Sequence, residues 1–140
     1  MKLLVENNAS KEDIKVIQNG LDEYNKKFAP SDNYQPLQVF LKDKDNNIQG
    51  GVLGASYWNW LVIEYFWIAE ELRSQGYGTK MLVLAEQEGI KRGCKNAHLD
   101  TLSFQAFEFY KNNGYKIFGQ LDDLPEGAVR YFLKKQLVSI

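Results

Sequence analysis

The stretch from Trp60 to Thr79 constrains this chain most. Trp60 to Ile68 is crowded with aromatic and β-branched residues, the composition of a central strand. A short turn follows, and Gly76-Tyr77-Gly78-Thr79 then opens a helix that runs to Arg92 and stops at Gly93. Leu82, Ala85 and Gly89 share one face of that helix, as a helix laid on a sheet requires. The junction is also chemically specific. The first amides of a helix lack internal partners and carry the positive end of its dipole. Phosphate binds there without a large basic patch. Gly76 and Gly78 remove side chains that would hold a pyrophosphate off those amides. Arg73 can add a charge-assisted contact and Thr79 a hydroxyl.

The rest of the chain supplies a sheet for this junction. Lys2 to Glu6 reads as a short first strand. Ser10 and Asp13 then resemble a capping box, and Ile14, Ile17, Leu21, Tyr24 and Phe28 recur at helical spacing. Leu37, Val39 and Leu41 alternate with their neighbours as in a strand. Ile48 to Tyr57 is extended, and Gly50, Gly51 and Gly54 within it suggest a bulge or a close approach. Strands are predicted at Lys95 to Thr101, Tyr115 to Gln120 and Val129 to Leu137, with a helix from Phe104 to Asn113 stopped by Gly114. The order β-α-β-β-β-α-β-α-β-β predicts an α/β (α+β) fold, a mixed sheet with helices packed on it. No boundary is visible, so residues 1–140 read as one domain.

Composition removes several function classes. The 17 basic and 18 acidic residues leave a net charge of -1, whereas a general nucleic-acid binder carries a basic excess. The strongly apolar run Trp60 to Ala69 is half a membrane span and contains Glu64. Met1 to Asn8 has no signal-peptide core. Cys94 is the only cysteine, which precludes an internal disulfide and suits a reducing compartment; a cytoplasmic protein is expected. No cluster of His, Cys and carboxylates has metal-ligand spacing, so no metal is expected.

The ligand at the glycine turn is narrowed by spacing. A dinucleotide fingerprint needs a third glycine where Met81 stands, and no P-loop pattern occurs. Arg73-x-x-Gly76-x-Gly78 instead resembles the acetyl-CoA signature of the GNAT N-acetyltransferase superfamily. A second block resembles that family's next conserved stretch. Ala106 is followed by two residues, then Phe109, Tyr110, three residues, Gly114 and Tyr115. The resemblance covers roughly residues 50 to 120 well. One position departs: the family often has asparagine three residues before the alanine, where this chain has Ser103.

The resemblance implies a mainly antiparallel GNAT-type sheet whose fourth and fifth strands splay apart, here Trp60 to Ile68 and Lys95 to Thr101. It implies acetyl-CoA as co-substrate and an amine as acceptor. The pantetheine arm would pair with backbone at Trp67, Ile68 and Ala69. Amides of Ser74, Gln75, Gly76, Tyr77, Gly78 and Thr79 would surround the pyrophosphate beside Arg73, and Ser103 would replace the asparagine contact. Tyr110 matches the tyrosine that protonates the CoA sulfur in many relatives; the alternative is that it only fills a helix–sheet interface. Glu64 lies where relatives place a base acting through water, or it is an outward-facing edge carboxylate. His98 is a second candidate base, while Asp100 and Glu71 read as structural or solvated.

For the acceptor, no Lys or Arg occurs between Lys44 and Arg73, a stretch holding Glu64 and several aromatics. An acidic, aromatic pocket favours a cationic amine, on a small molecule or on a protein, although a hydrophobic core explains most of the same residues. The loops Ser31 to Gln35 and Asp122 to Gly127 are candidate walls. Related enzymes often form homodimers, so a second copy is a candidate partner. Neither nucleic acid nor membrane is expected as one. A CoA-binding sensor without turnover is the alternative function.

Overall fold

A computed structural model describes residues 1–138, which fall into two compact units, 1–32 and 33–138. The first unit contains helix α1, Lys11–Asn25. Its start follows the sequence expectation, since the Ser10 hydroxyl accepts the Asp13 amide at 3.1 Å. No residue of α1 is buried, and Ile14, Ile17, Leu21 and Tyr24 are all exposed. The strand expected at Lys2 to Glu6 is not formed. An apolar run becomes a strand only when a neighbour takes up its backbone groups, and these residues enter no ladder.

The second unit is a six-stranded sheet. Its strands are β1 (Gln35–Lys42), β2 (Ile48–Tyr57), β3 (Trp60–Ile68), β4 (Asn96–Leu102), β5 (Lys116–Asp122) and β6 (Val129–Gln136). They lie in the order β1-β2-β3-β4-β6-β5. Only β3 and β4 pair in parallel; the other neighbours are antiparallel. Two helices join them, α2 (Tyr77–Lys91) and the short α3 (Phe107–Asn112). Helix α2 packs on the face made by β1, β2 and β3. Leu37, Val52, Leu61, Ile63, Leu82, Ala85 and Leu99 form the core between helix and sheet. Gly89 lets the helix approach closely, because a Cβ there would sit 3.4 Å from Leu61.

Two features of β2 and β3 shape the site. A register shift falls between Leu53 and Gly54, where any Cβ would collide with the Val62 carbonyl. This is the bulge that the strand glycines predicted. The parallel β3–β4 pairing covers only Trp60–Ile63 against Asn96–Leu99. Beyond that the strands part. The splay falls in the predicted segments, but these are the third and fourth strands, because the segment before α1 is not a strand.

Candidate active site

The parting of β3 and β4 opens a groove of about 740 Å³. From Tyr65 to Ile68, β3 stays paired to β2 on one side and has no strand on the other. That edge carries unused backbone donors and acceptors, which an extended chain can pair with. Trp67 and Ile68 border the groove. Ala69 lies just beyond the edge, buried, with its amide already given to the Gln49 carbonyl at 2.8 Å.

A single helical turn, Glu70–Leu72, carries the chain from β3 into the glycine loop. Arg73 fastens the loop to the strand, its Nε donating to the Ile68 carbonyl at 3.0 Å. Ser74 has φ 61° and Gly76 φ 87°, so the chain turns twice through the left-handed region. The Lys80 amide donates to the Gly76 carbonyl, which leaves the amides of residues 77–79 ahead of the first helical bond. Arg73, Ser74, Gly76, Gly78 and Thr79 line the groove. Gln75 and Tyr77 do not; the Gln75 side-chain amide donates to the Glu71 carbonyl.

The two glycines turn out to have different reasons. A Cβ at Gly76 would meet nothing within 4 Å, so its backbone angle, not clearance, demands glycine. A Cβ at Gly78 would lie 3.2 Å from the Phe109 ring and 3.4 Å from Ile68. Gly78 therefore admits the helix that carries Tyr110.

Tyr110 is buried at the bottom of the groove, 5% exposed. Its ring meets Phe66, Phe109 and Tyr115 at centroid distances of 6.1, 5.2 and 5.8 Å. Among the described residues its hydroxyl has no hydrogen-bond partner. Burial first, and then the negative charge of Asp100, push its pKa up to about 12. The phenol thus keeps its proton throughout the neutral range and can donate it. Glu64, exposed, stands at the mouth of the parting and lines the same groove.

His98 is not in this groove. It borders a separate depression with Tyr57, Trp60 and Phe118, shares a 2.9 Å hydrogen bond with the Tyr57 hydroxyl, and stacks edge-on with Trp60. Burial lowers its pKa against the opposing pull of Asp100. Ser103 also lies outside the lining. Its hydroxyl accepts the Val129 amide at 3.0 Å, and its own amide donates back to Val129. Residues assigned no site role from sequence also border the groove: Asp100, expected to be structural or solvated, and Phe104, Gln105 and Phe109. Asp100 pairs with Arg130 at 2.9 Å. Only tertiary pairing reveals this, since the two are 30 positions apart. No group of three or more metal-ligating side chains occurs among the described residues. Nor is any described helix long and apolar enough to cross a membrane.

Comparison with known proteins agrees with this fold. The family model described as the acetyltransferase (GNAT) family matches residues 8–115. An acetyltransferase of Agrobacterium fabrum is 32% identical over 137 residues, covering 97% of this chain and 99% of its own. The blasticidin-S acetyltransferase of Streptomyces morookaense is 29% identical over 107 residues, covering 74% and 79%. The crystal structure of an acetyltransferase from Bacillus cereus superposes with a TM-score of 0.87 at 31% identity, over 95% of this chain and 97% of that one.

Proposed function

Since the chain belongs to the GNAT acetyltransferase family, whose members take their acetyl group from acetyl-CoA, we propose that it acetylates a primary amine of a small cationic molecule by direct transfer. One observation carries this reading. A single groove joins an open helix N-terminus, an unpaired strand edge, a free carboxylate and a buried phenol with an unengaged hydroxyl. The family match across residues 8–115 supports reading 1–140 as one acetyltransferase domain.

The residues present suit acetyl-CoA. The amides after Gly76 face an anion with the positive end of α2, and Arg73 and Thr79 border the same space. The open edge of β3 at Trp67 and Ile68 offers backbone partners to an amide-containing chain. When bound, acetyl-CoA supplies the activated acetyl thioester. Glu64 takes the proton that an ammonium acceptor must lose before its nitrogen can attack, directly or through water. Tyr110 donates from its hydroxyl to the sulfur as the carbon–sulfur bond breaks. Asp100, fixed beside Arg130, contributes to the raised pKa that holds that phenol neutral.

The Streptomyces relative is named for acetylating blasticidin-S, which supports a small-molecule acceptor. Exposed Tyr65 and Trp67 beside Glu64 favour a cationic one. A second copy of the chain is a candidate partner, as a homodimer. The free, buried Cys94 fits a cytoplasmic protein. The test is release of free thiol from acetyl-CoA over a panel of amines. Turnover of at least one amine supports the reading. Binding of CoA without turnover of any returns the chain to the sensor alternative.

A further inference from the structure

The last paired residues before β3 and β4 separate are Ile63 and Leu99. Both are buried in the core under α2. The next residues are Glu64, which the bulge leaves without a partner in β2, and Asp100, which points away from the face that buries Leu99. Each directly follows the last paired residue on its bank of the parting. Both are exposed, and both border the groove. Two carboxylates therefore flank the point where the strands begin to diverge.

The two are not equivalent. Glu64 has no hydrogen bond or ion pair among the described residues. Asp100 is held through one oxygen only, Oδ1 accepting from Arg130 Nη1 at 2.9 Å. Its side chain remains 45% exposed, and Oδ2 has no partner among the described residues. Arg130 is steadied in turn by its place on β6, registered opposite Leu102 of β4. A carboxylate fixed by arginine is held in one orientation, which suits an anchor better than a proton acceptor. An unpaired carboxylate suits a base.

We infer that Asp100, positioned by Arg130, is a specificity-determining residue that binds a second cationic centre of the acceptor, while Glu64 serves the amine that reacts. The preferred acceptor is then a diamine, or an amine bearing a guanidinium, rather than a monoamine. This rests on the amine-acetyltransferase reading above.

Two measurements test it, each comparing diaminobutane and diaminohexane with butylamine and hexylamine. The first is calorimetric titration of the CoA-loaded protein. The second is steady-state thiol release. Wild type should bind the diamines tighter than the matched monoamines by about tenfold or more, the usual strength of a hydrogen bond to a charged group. Asp100→Asn should collapse that preference toward one, with the loss in KM and Kd rather than kcat. Asp100→Glu should restore part of it. Arg130→Met leaves the carboxylate present but unheld and should weaken the preference partway, so the test survives if Asp100→Asn folds poorly. Glu64→Gln should lower kcat on both kinds of amine.

A wild-type protein that binds and turns over both kinds equally would overturn this inference and leave the acetyltransferase reading intact. So would a diamine preference that persists in Asp100→Asn. Failure to release thiol with any amine would instead sink the acetyltransferase reading. The titration would still decide the role of Asp100 by whether diamine binding depends on it.

Discussion

Replacing Tyr110 by phenylalanine deletes one oxygen and keeps the ring. The contacts with Phe66, Phe109 and Tyr115 are ring contacts, so they survive. The hydroxyl has no partner among the described residues, so no hydrogen bond is broken inside the protein. The melting temperature should therefore shift by less than about 2 °C. The catalytic effect should be far larger. A phenol held near 12 is a reluctant acid, since thiols ionise near ~8.5. Full proton transfer to a thiolate would be uphill, so its contribution is mainly a hydrogen bond to developing charge. Such a bond contributes about 1.5–3 kcal/mol, and general acids supply about 10²- to 10⁴-fold. The two ranges meet near 10²-fold, or about 2.7 kcal/mol. We expect kcat and kcat/KM to fall together by about 10², with CoA affinity nearly unchanged. The assay is steady-state thiol release on an accepted amine, with CoA binding and melting measured in parallel. Equal kcat in the two proteins would refute the acid role. A large fall in melting temperature would refute the claim that the hydroxyl has no structural bond.

The same residue carries a pH signature. Its folded pKa lies above the ordinary value of 10.0, so between about pH 10 and 12 the unfolded chain loses a proton that the folded one keeps. Stability present below pH 10 should be lost across that window, and Tyr110→Phe should lose up to about 2–3 kcal/mol less than wild type in alkaline melting curves. Gly76→Val forces a branched side chain to φ 87° and should weaken CoA binding at least tenfold in a titration; unchanged affinity would remove the pyrophosphate assignment. Lys135→Met strips the cation 2.7 Å from buried Glu86, which also accepts from the Tyr115 hydroxyl. Denaturant unfolding should show a loss of about 3 kcal/mol, and a neutral result would mean that Glu86 protonates or finds water. Sedimentation velocity at micromolar concentration should give a dimer, and a monomer there would remove the homodimer.

How much of this was legible depends on the range of the interaction that decides it. Strand β3 and helix α2 were readable because composition and periodicity over many residues state them locally. The segment Lys2 to Glu6 looks like a strand by the same local measure, yet strand formation is settled by a partner the sequence does not display. Helix α3 was expected from Phe104 but begins only at Phe107, because Gln105 turns its side chain back to accept the Leu102 amide. At the site, the motif residues Arg73, Gly76, Gly78 and Tyr110 all line the groove, and Gly78 has a reason the motif does not state, room for the Phe109 ring. Asp100 could not be read from its neighbours. Its standing comes from its place just past the last β3–β4 pair and from an arginine on another strand. The Ser103 hydroxyl, in the same way, is engaged by Val129, which lies 26 positions away.

The contact between Gly78 and Phe109 has one more consequence. Gly78 sits in the turn proposed to grip the pyrophosphate, and Phe109 immediately precedes the tyrosine proposed to meet the sulfur. Phosphate and sulfur are the two ends of a pantetheine chain of fixed covalent length. By pressing ring against backbone with no Cβ between, the fold sets the distance between its two grips with a single spacer of atomic thickness. On the proposed binding mode it works as a gauge block: one methyl group inserted at residue 78 would alter the spacing between the two grips, not merely the fit at one end.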